Sequence, residues 1–334
     1  MKSPRIACLG ANRESEVVLQ ALVAGGANVA AVVTLPPGAA AGVCDYVDLH
    51  PFCATHNIPT VDCRHINSSP VRERLAAFKP DYLYVLGWSE MLADDALSLP
   101  AQYVVGSHPS DLPEGRGRAP VPWAILEDRD ELVVSLFRMV RGADAGPLLL
   151  QRRFRLPARP YASEVYELVA ENLGAAFCDL HAMHVAGSGA AATPQDERRA
   201  SYRARRGPAD GRLAFQRSAE EIERLVRAVS EPYPGAYAYY GERRISVWRA
   251  RVETSLRMRG AEGQILRRDG ERLLVQTAAG LVWLWEFSEA GHRIDACEFR
   301  TGERFGYAVE DEIFALRRQI ADLQAAVAGR REAA

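Results

Sequence analysis

The 334-residue sequence lacks several signatures, and each absence removes a class of function. Its six cysteines (Cys8, Cys44, Cys53, Cys63, Cys178 and Cys297) include no C-x-x-C pair. That argues against a zinc ribbon or a thioredoxin-type motif, and reduced thiols in a cytoplasm are the expectation. No apolar run approaches the ~20 residues that a membrane-spanning helix needs. The opening stretch MKSPRIACLGANRE shows no secretory signal. A net charge of −2 offers no broad cationic surface for wrapping nucleic acid. A dinucleotide fingerprint is missing as well: the first apolar run leads into LGANRESE, with one glycine where several are needed. Nicotinamide redox chemistry is therefore a poor reading. His181 and His184 stand three apart on a helical stretch, but no further ligand is placed. Cys63-Arg64-His65 supports no metal either, so no metal is expected, and the two histidines are expected to pack or face solvent.

What is present is an ordinary globular composition, 48% hydrophobic and 25% charged, in a chain long enough for two cores. RIACLG, NVAAVVTLPP, DYLYVLGW and QYVVGSHPS are short apolar runs closed by glycine or proline, as strands are. SEVVLQALVAGG, the segment from Asp48 to Ile58, and VRERLAAFKP have helical character between them. This alternation predicts an α/β fold with a Rossmann-like, parallel-rich sheet over residues 1–185. LVVSLFRMVRGADAGPLLLQRRFRL predicts strand, loop, strand, and Ser163 to His184 one long helix. Residues 186–210 are small, polar and turn-rich and read as a linker. Residues 211–306 begin with a capped helix (Ser218 and Glu221) and continue as short strands with glycine turns, predicting a small OB-like β-barrel. The tail, 307–334, is helical, with Val309, Ile313, Leu316, Ile320, Leu323 and Val327 alternating at spacings of four and three.

Ligands of parallel sheets gather at the carboxyl ends of the strands. Gly87-Trp88 and Gly106-Ser107-His108 both fall there. The second of these opens VVGSHPSDLPEGRGRAPVPWAI (Val104 to Ile125), dense in glycine, proline and charge. Such density suits a site better than a core.

HPSDLPEGRGRAPVPWAI, followed by FRMVRGADAGPLLLQ, resembles the signature of the folate-dependent formyltransferases. LVRAVSEPYPGAYAYYGERRISVWRARV is similar to the carboxy-terminal barrel of the tRNA- and sugar-modifying groups. The resemblance spans roughly residues 5 to 305 and is nearest to the sugar N-formyltransferases. It implies transfer of a formyl group from N10-formyltetrahydrofolate, the co-substrate, to an amine. It implies catalytic roles for His108 and Asp144. Gly106 stands where the family has asparagine. Leu86, Gly87, Trp88, Gly142, Ala143 and Asp144 are implied around the folate. Ser110, Arg116, Gly117, Arg118 and Pro120 are implied on the acceptor side. Core packing remains open for Gly87-Trp88, a turn role for Asp144, and solvation for Arg116 and Arg118.

The chemistry wants such groups. The attacking nitrogen must lose a proton, which an imidazole accepts near neutral pH. A carboxylate beside it orients the ring and stabilises the cation. The carbonyl oxygen gains charge, and one donor aimed at it is worth about 2.7–4 kcal/mol. Gly106 has no amide to supply that donor. Ser107 faces the other side of its strand and cannot replace it. Protonated His108, a backbone N–H, or water filling the space are the expected substitutes. The partners expected are the folate and a small amine, with a nucleotide-linked amino sugar favoured, no membrane, and a possible homodimer. A transfer RNA is disfavoured, because TLPPGAAAGVCDYVDLH, Thr34 to His50, holds no Lys or Arg where the resembling tRNA enzymes carry a basic insertion. Another small biosynthetic amine, or a folate- or nucleotide-sugar-binding protein with altered or lost catalysis, are the alternatives.

Overall fold

Continuous apolar runs in the first hundred residues become strands buried on both faces, as a parallel sheet requires. The computed structural model describes residues 3–40, 45–187, 191–306 and 309–332. The chain forms two compact units: residues 1–210 with 227–234, and residues 211–226 with 235–334.

The first unit runs β1 (Arg5–Leu9), α1 (Arg13–Ala24), β2 (Asn28–Thr34), α2 (His50–Thr55), β3 (Thr60–Asp62), α3 (Ser69–Ala77), β4 (Tyr82–Val85), α4 (Asp94–Leu97), β5 (Tyr103–His108), β6 (Arg116–Gly117), α5 (Pro120–Leu126), β7 (Glu131–Arg138), β8 (Leu148–Arg155), α6 (Ala162–Ala186) and β9 (Tyr202–Arg203). Its main sheet has the order β3-β2-β1-β4-β5-β7-β8. The first five pair in parallel, whereas β7 lies antiparallel to β5 and β8 antiparallel to β7. Strand order reverses between β1 and β4, so the crevice at their carboxyl ends is the switch point where such sheets bind ligands.

Local chemistry sets the helices around that crevice. α1 starts at Asn12, whose side chain accepts from the Ser15 N–H at 2.9 Å. Glu16 complements the positive end of the helix, whereas burial pushes the Glu14 carboxyl up to about 8. α6 buries Val165, Val169, Leu173, Phe177 and Leu180 along one side. His184 on α6 meets the hydroxyls of Tyr84 and Tyr103, each at 2.8 Å, and stacks on Tyr82. His181 is buried too, so both histidines pack and neither faces solvent. On the opposite face, Leu9, Val33, Leu83, Val85 and Val104 form a core with Val71 and Leu75 of α3.

In the second unit come α7 (Ala219–Ala228, its residues to Val226 in this unit), β10 (Ala236–Tyr240), β11 (Arg243–Glu253), β12 (Ile265–Asp269), β13 (Arg272–Gln276), β14 (Leu281–Glu289), β15 (His292–Ile294) and α8 (Val309–Glu332). The Ser218–Glu221 box is made: the Glu221 N–H donates to Ser218 Oγ at 3.2 Å, and the Ser218 N–H to Glu221 Oε2 at 3.0 Å. The strands pair antiparallel in the order β10-β11-β14-β13-β12, with β15 on β14. An irregular segment spans from β12 to β10. The Ile265 N–H donates to Glu303 O at 2.8 Å, and the Gly306 N–H to Tyr239 O at 2.7 Å. Among the described residues no helix is long and apolar enough to cross a membrane.

Candidate active site

His108 ends β5 and lies opposite Ser135 of β7, so the sheet itself sets its position. Its ring is nearly buried, 6% exposed. Nε2 lies 2.9 Å from the carbonyl oxygen of Gly115. A carbonyl only accepts, so Nε2 carries a proton and the neutral ring keeps its lone pair on Nδ1. Nδ1 faces Asp144 Oδ2 at 3.8 Å, within ion-pairing range but too far for a direct hydrogen bond.

Asp144 sits in the left-handed region, φ 52°, which aspartate tolerates better than most residues. Its Oδ2 accepts from the Gly117 N–H at 2.9 Å, while its main-chain carbonyl accepts from Gln195 Nε2 at 2.8 Å. Both partners of His108 are thus held from the segment expected to be only a linker. Ser201 Oγ accepts from the Gly115 N–H at 2.9 Å, and β9 pairs in parallel with β6. Gln195 Nε2 donates also to Gly146 O at 2.6 Å. Residues 193–203 therefore strap the loop after His108 to the loop containing Asp144. No periodicity marks such a strap, because it acts through single hydrogen bonds.

Arg116 belongs to this strap and is not open to an anion. Glu197 receives it with both carboxylate oxygens, at 2.7 and 3.0 Å, and Gln195 Oε1 and Tyr202 Oη also accept from it. The guanidinium in turn holds the Glu197 carboxyl below its usual range. Arg118 differs: it is exposed, and its guanidinium makes a long contact, 3.5 Å, with Ser89 O. That contact brings the 115–118 loop to the end of β4. Pro120 opens α5, and Ser110 is buried with an Oγ that has no hydrogen-bond partner among the described residues.

The packing around Gly106 gives this position a reason to be glycine. It lies directly across from Phe137 in the β5–β7 ladder. A Cβ placed on it would stand 2.8 Å from Met139 Cγ and 2.9 Å from Phe137 Cζ. Those side chains crowd the space that a side chain at this position would need.

At the end of β4, Leu86 is buried and its carbonyl accepts from Ser15 Oγ at 2.6 Å. Gly87 follows with φ 108° and closes on Asn12, whose Nδ2 would lie 2.7 Å from an added Cβ. Trp88 packs on the same core as Met139, and its Nε1 has no hydrogen-bond partner among the described residues. Gly142 and Ala143 are exposed on the loop leading to Asp144. Among the described residues, no group of three or more His, Cys, Asp or Glu is placed to hold a metal.

Residues 5–179 match the family model described as formyl transferase, and residues 206–304 match that of the formyl transferase C-terminal domain. The chain belongs to the formyl transferase family. Its two-unit layout is that of the family. HypX from Aquifex aeolicus in complex with tetrahydrofolic acid is similar over 92% of this chain at 18% identity, TM-score 0.63. The match takes in 51% of that HypX chain, so this chain spans about half its length. An N-formyltransferase from Helicobacter canadensis, in complex with folinic acid and dTDP-3-aminofucose, is similar over 86% of this chain and all of its own (100%), at 13% identity and TM-score 0.60. A methionyl-tRNA formyltransferase from Clostridium thermocellum is similar over 75% of this chain and 94% of its own, at 16% identity and TM-score 0.55. At such identities the likeness is one of fold.

Proposed function

We propose that this formyltransferase moves a formyl group from N10-formyltetrahydrofolate to the amine of a small substrate, a nucleotide-linked amino sugar. The observation behind this reading is the pairing of a base-ready Nδ1 on His108 with the Asp144 carboxylate at a strand end. The folate supplies an activated formyl carbon on N10. The chain fits such a group. Trp88 offers a buried indole N–H without a partner among the described residues beside the backbone turn at Gly87, and Gly142 and Ala143 are exposed on the loop leading to Asp144.

A nitrogen about 3 Å from both Nδ1 and Oδ2 fits the 3.8 Å gap between them. Nδ1 takes the proton that this nitrogen loses on attack. Asp144 faces the imidazolium so formed and stabilises it. Nδ1 then bears a proton, donates toward the oxygen that gains charge, and gives that proton to N10 as the bond from the formyl carbon to N10 breaks and tetrahydrofolate leaves. Arg118, exposed beside Ser89, is an arginine that a phosphate on the acceptor could meet. The lack of Lys and Arg from Thr34 to His50 supports a small acceptor over a transfer RNA.

The test is an assay of N10-formyltetrahydrofolate with a panel of nucleotide-linked amino sugars and simple amines, read as formylated product by mass. Product with an amino-sugar nucleotide is expected. Its loss by about 10²-fold or more is expected in His108→Ala and Asp144→Ala. Full turnover in both variants would refute the roles. The absent asparagine favours one second reading, a folate-binding homologue with altered chemistry. Folate binding without product across the panel would support it.

A further inference from the structure

The unpartnered face of α8 is the feature that the formyltransferase chemistry leaves unused. Val309, Ile313, Leu316, Ile320 and Leu323 are each 45–66% exposed, and none of them belongs to a core of the described residues. Their spacing of four and three residues is a heptad with Ile313 and Ile320 at the a positions and Val309, Leu316 and Leu323 at d. Val327, next in the stripe, lies outside the residues whose side chains are described.

We infer that α8 pairs with α8 of a second copy of this chain as a short parallel two-stranded coiled coil. Three observations point to that occupant. A stripe of isoleucine at a with leucine dominant at d favours two parallel strands over higher orders. Glu312 falls at g and Arg317 at the following e. In a parallel pair these positions meet across the seam, so two symmetric Glu312–Arg317 bridges form. The next such pair, Gln319 and Gln324, is neutral and compatible.

The test uses the full chain. Light scattering should give twice the 36.7 kDa chain mass. Leu316→Glu with Ile320→Glu should return it to single-copy mass while the protein stays folded, because both side chains are about half exposed in their own chain. Glu312→Lys alone and Arg317→Glu alone should each weaken self-association about tenfold at low salt. Mixing those two variants should restore the dimer, since each then meets its opposite charge. Single-copy mass for the wild type at every accessible concentration would overturn the inference. So would a dimer that survives Leu316→Glu with Ile320→Glu, or a charge swap that fails to rescue, or a different protein found on α8 in place of its copy.

Discussion

Asparagine at Gly106, where the resemblance expects it, should destabilise this protein. The added Cβ lands 2.8 Å from Met139 Cγ and 2.9 Å from Phe137 Cζ. Carbon atoms rest at about 3.5–4.0 Å, so both neighbours must retreat by about 0.6 Å or more. Phe137 is 2% exposed and fixed in β7, and Met139 is held by its N–H to Val104 O at 2.9 Å. Overpacking of this kind costs about 1–3 kcal/mol. Replacing a strand glycine returns about 0.5–1 kcal/mol of that. Gly106→Ala should therefore lose about 1–2 kcal/mol in urea melts. Gly106→Asn should lose about 2–4 kcal/mol, because its amide also meets apolar side chains. Its formyl-transfer rate should fall, since Met139 and Phe137 lie beside the strand that carries His108. Phe137→Leu shortens the ring that collides, so the two substitutions should couple favourably by about 1–2 kcal/mol in a double-mutant cycle. Gly106→Asn as stable as wild type, with no coupling to Phe137→Leu, would refute this account of the glycine.

Two further outcomes follow from the geometry. Arg116→Ala removes the centre of the strap and should cost about 1–3 kcal/mol together with a lower kcat. Arg118→Ala should leave stability within about 0.5 kcal/mol and raise KM for a phosphorylated acceptor; urea melts and steady-state kinetics on both variants separate these roles, and the reverse pattern would exchange them. Burial, aided by His181, pushes His184 down to about 4 from an ordinary value near 6.5. The unfolded chain then binds a proton below about pH 6.5 that the folded chain refuses, so this contribution is whole above that pH and fades as pH falls toward 4. Stability should drop by about 2 kcal/mol between pH 7 and pH 5. Much of that slope should vanish in His184→Gln, and an unchanged slope would show that the ring is not its source.

Much of the fold was legible because it rests on runs and caps. β1, β2, β4 and β5 are apolar segments closed by special-backbone residues, and the Ser218–Glu221 box forms as its spacing predicts. β3 has three residues, Thr60–Asp62, too few to display a period. α5 hides behind Pro120 and Pro122, although proline in a first turn is no obstacle to a helix. In the site, motif and strand-end logic led to His108, Asp144 and the loop after Gly106. The strap did not show, because Gln195 and Ser201 look like any polar loop residues until their partners are known. Nor did the filling of the space at Gly106. That depends on strand register, which places a residue 31 positions later directly opposite.

The hydrogen bond from His108 to Gly115 O reaches further than its length suggests. Gly115 is itself anchored by Ser201, and Asp144 by Gln195. The tautomer that this contact favours is thus supported by residues encoded some ninety positions downstream of the ring. A fragment ending before Gln195 would contain every signature residue, yet its histidine would be free to choose either tautomer.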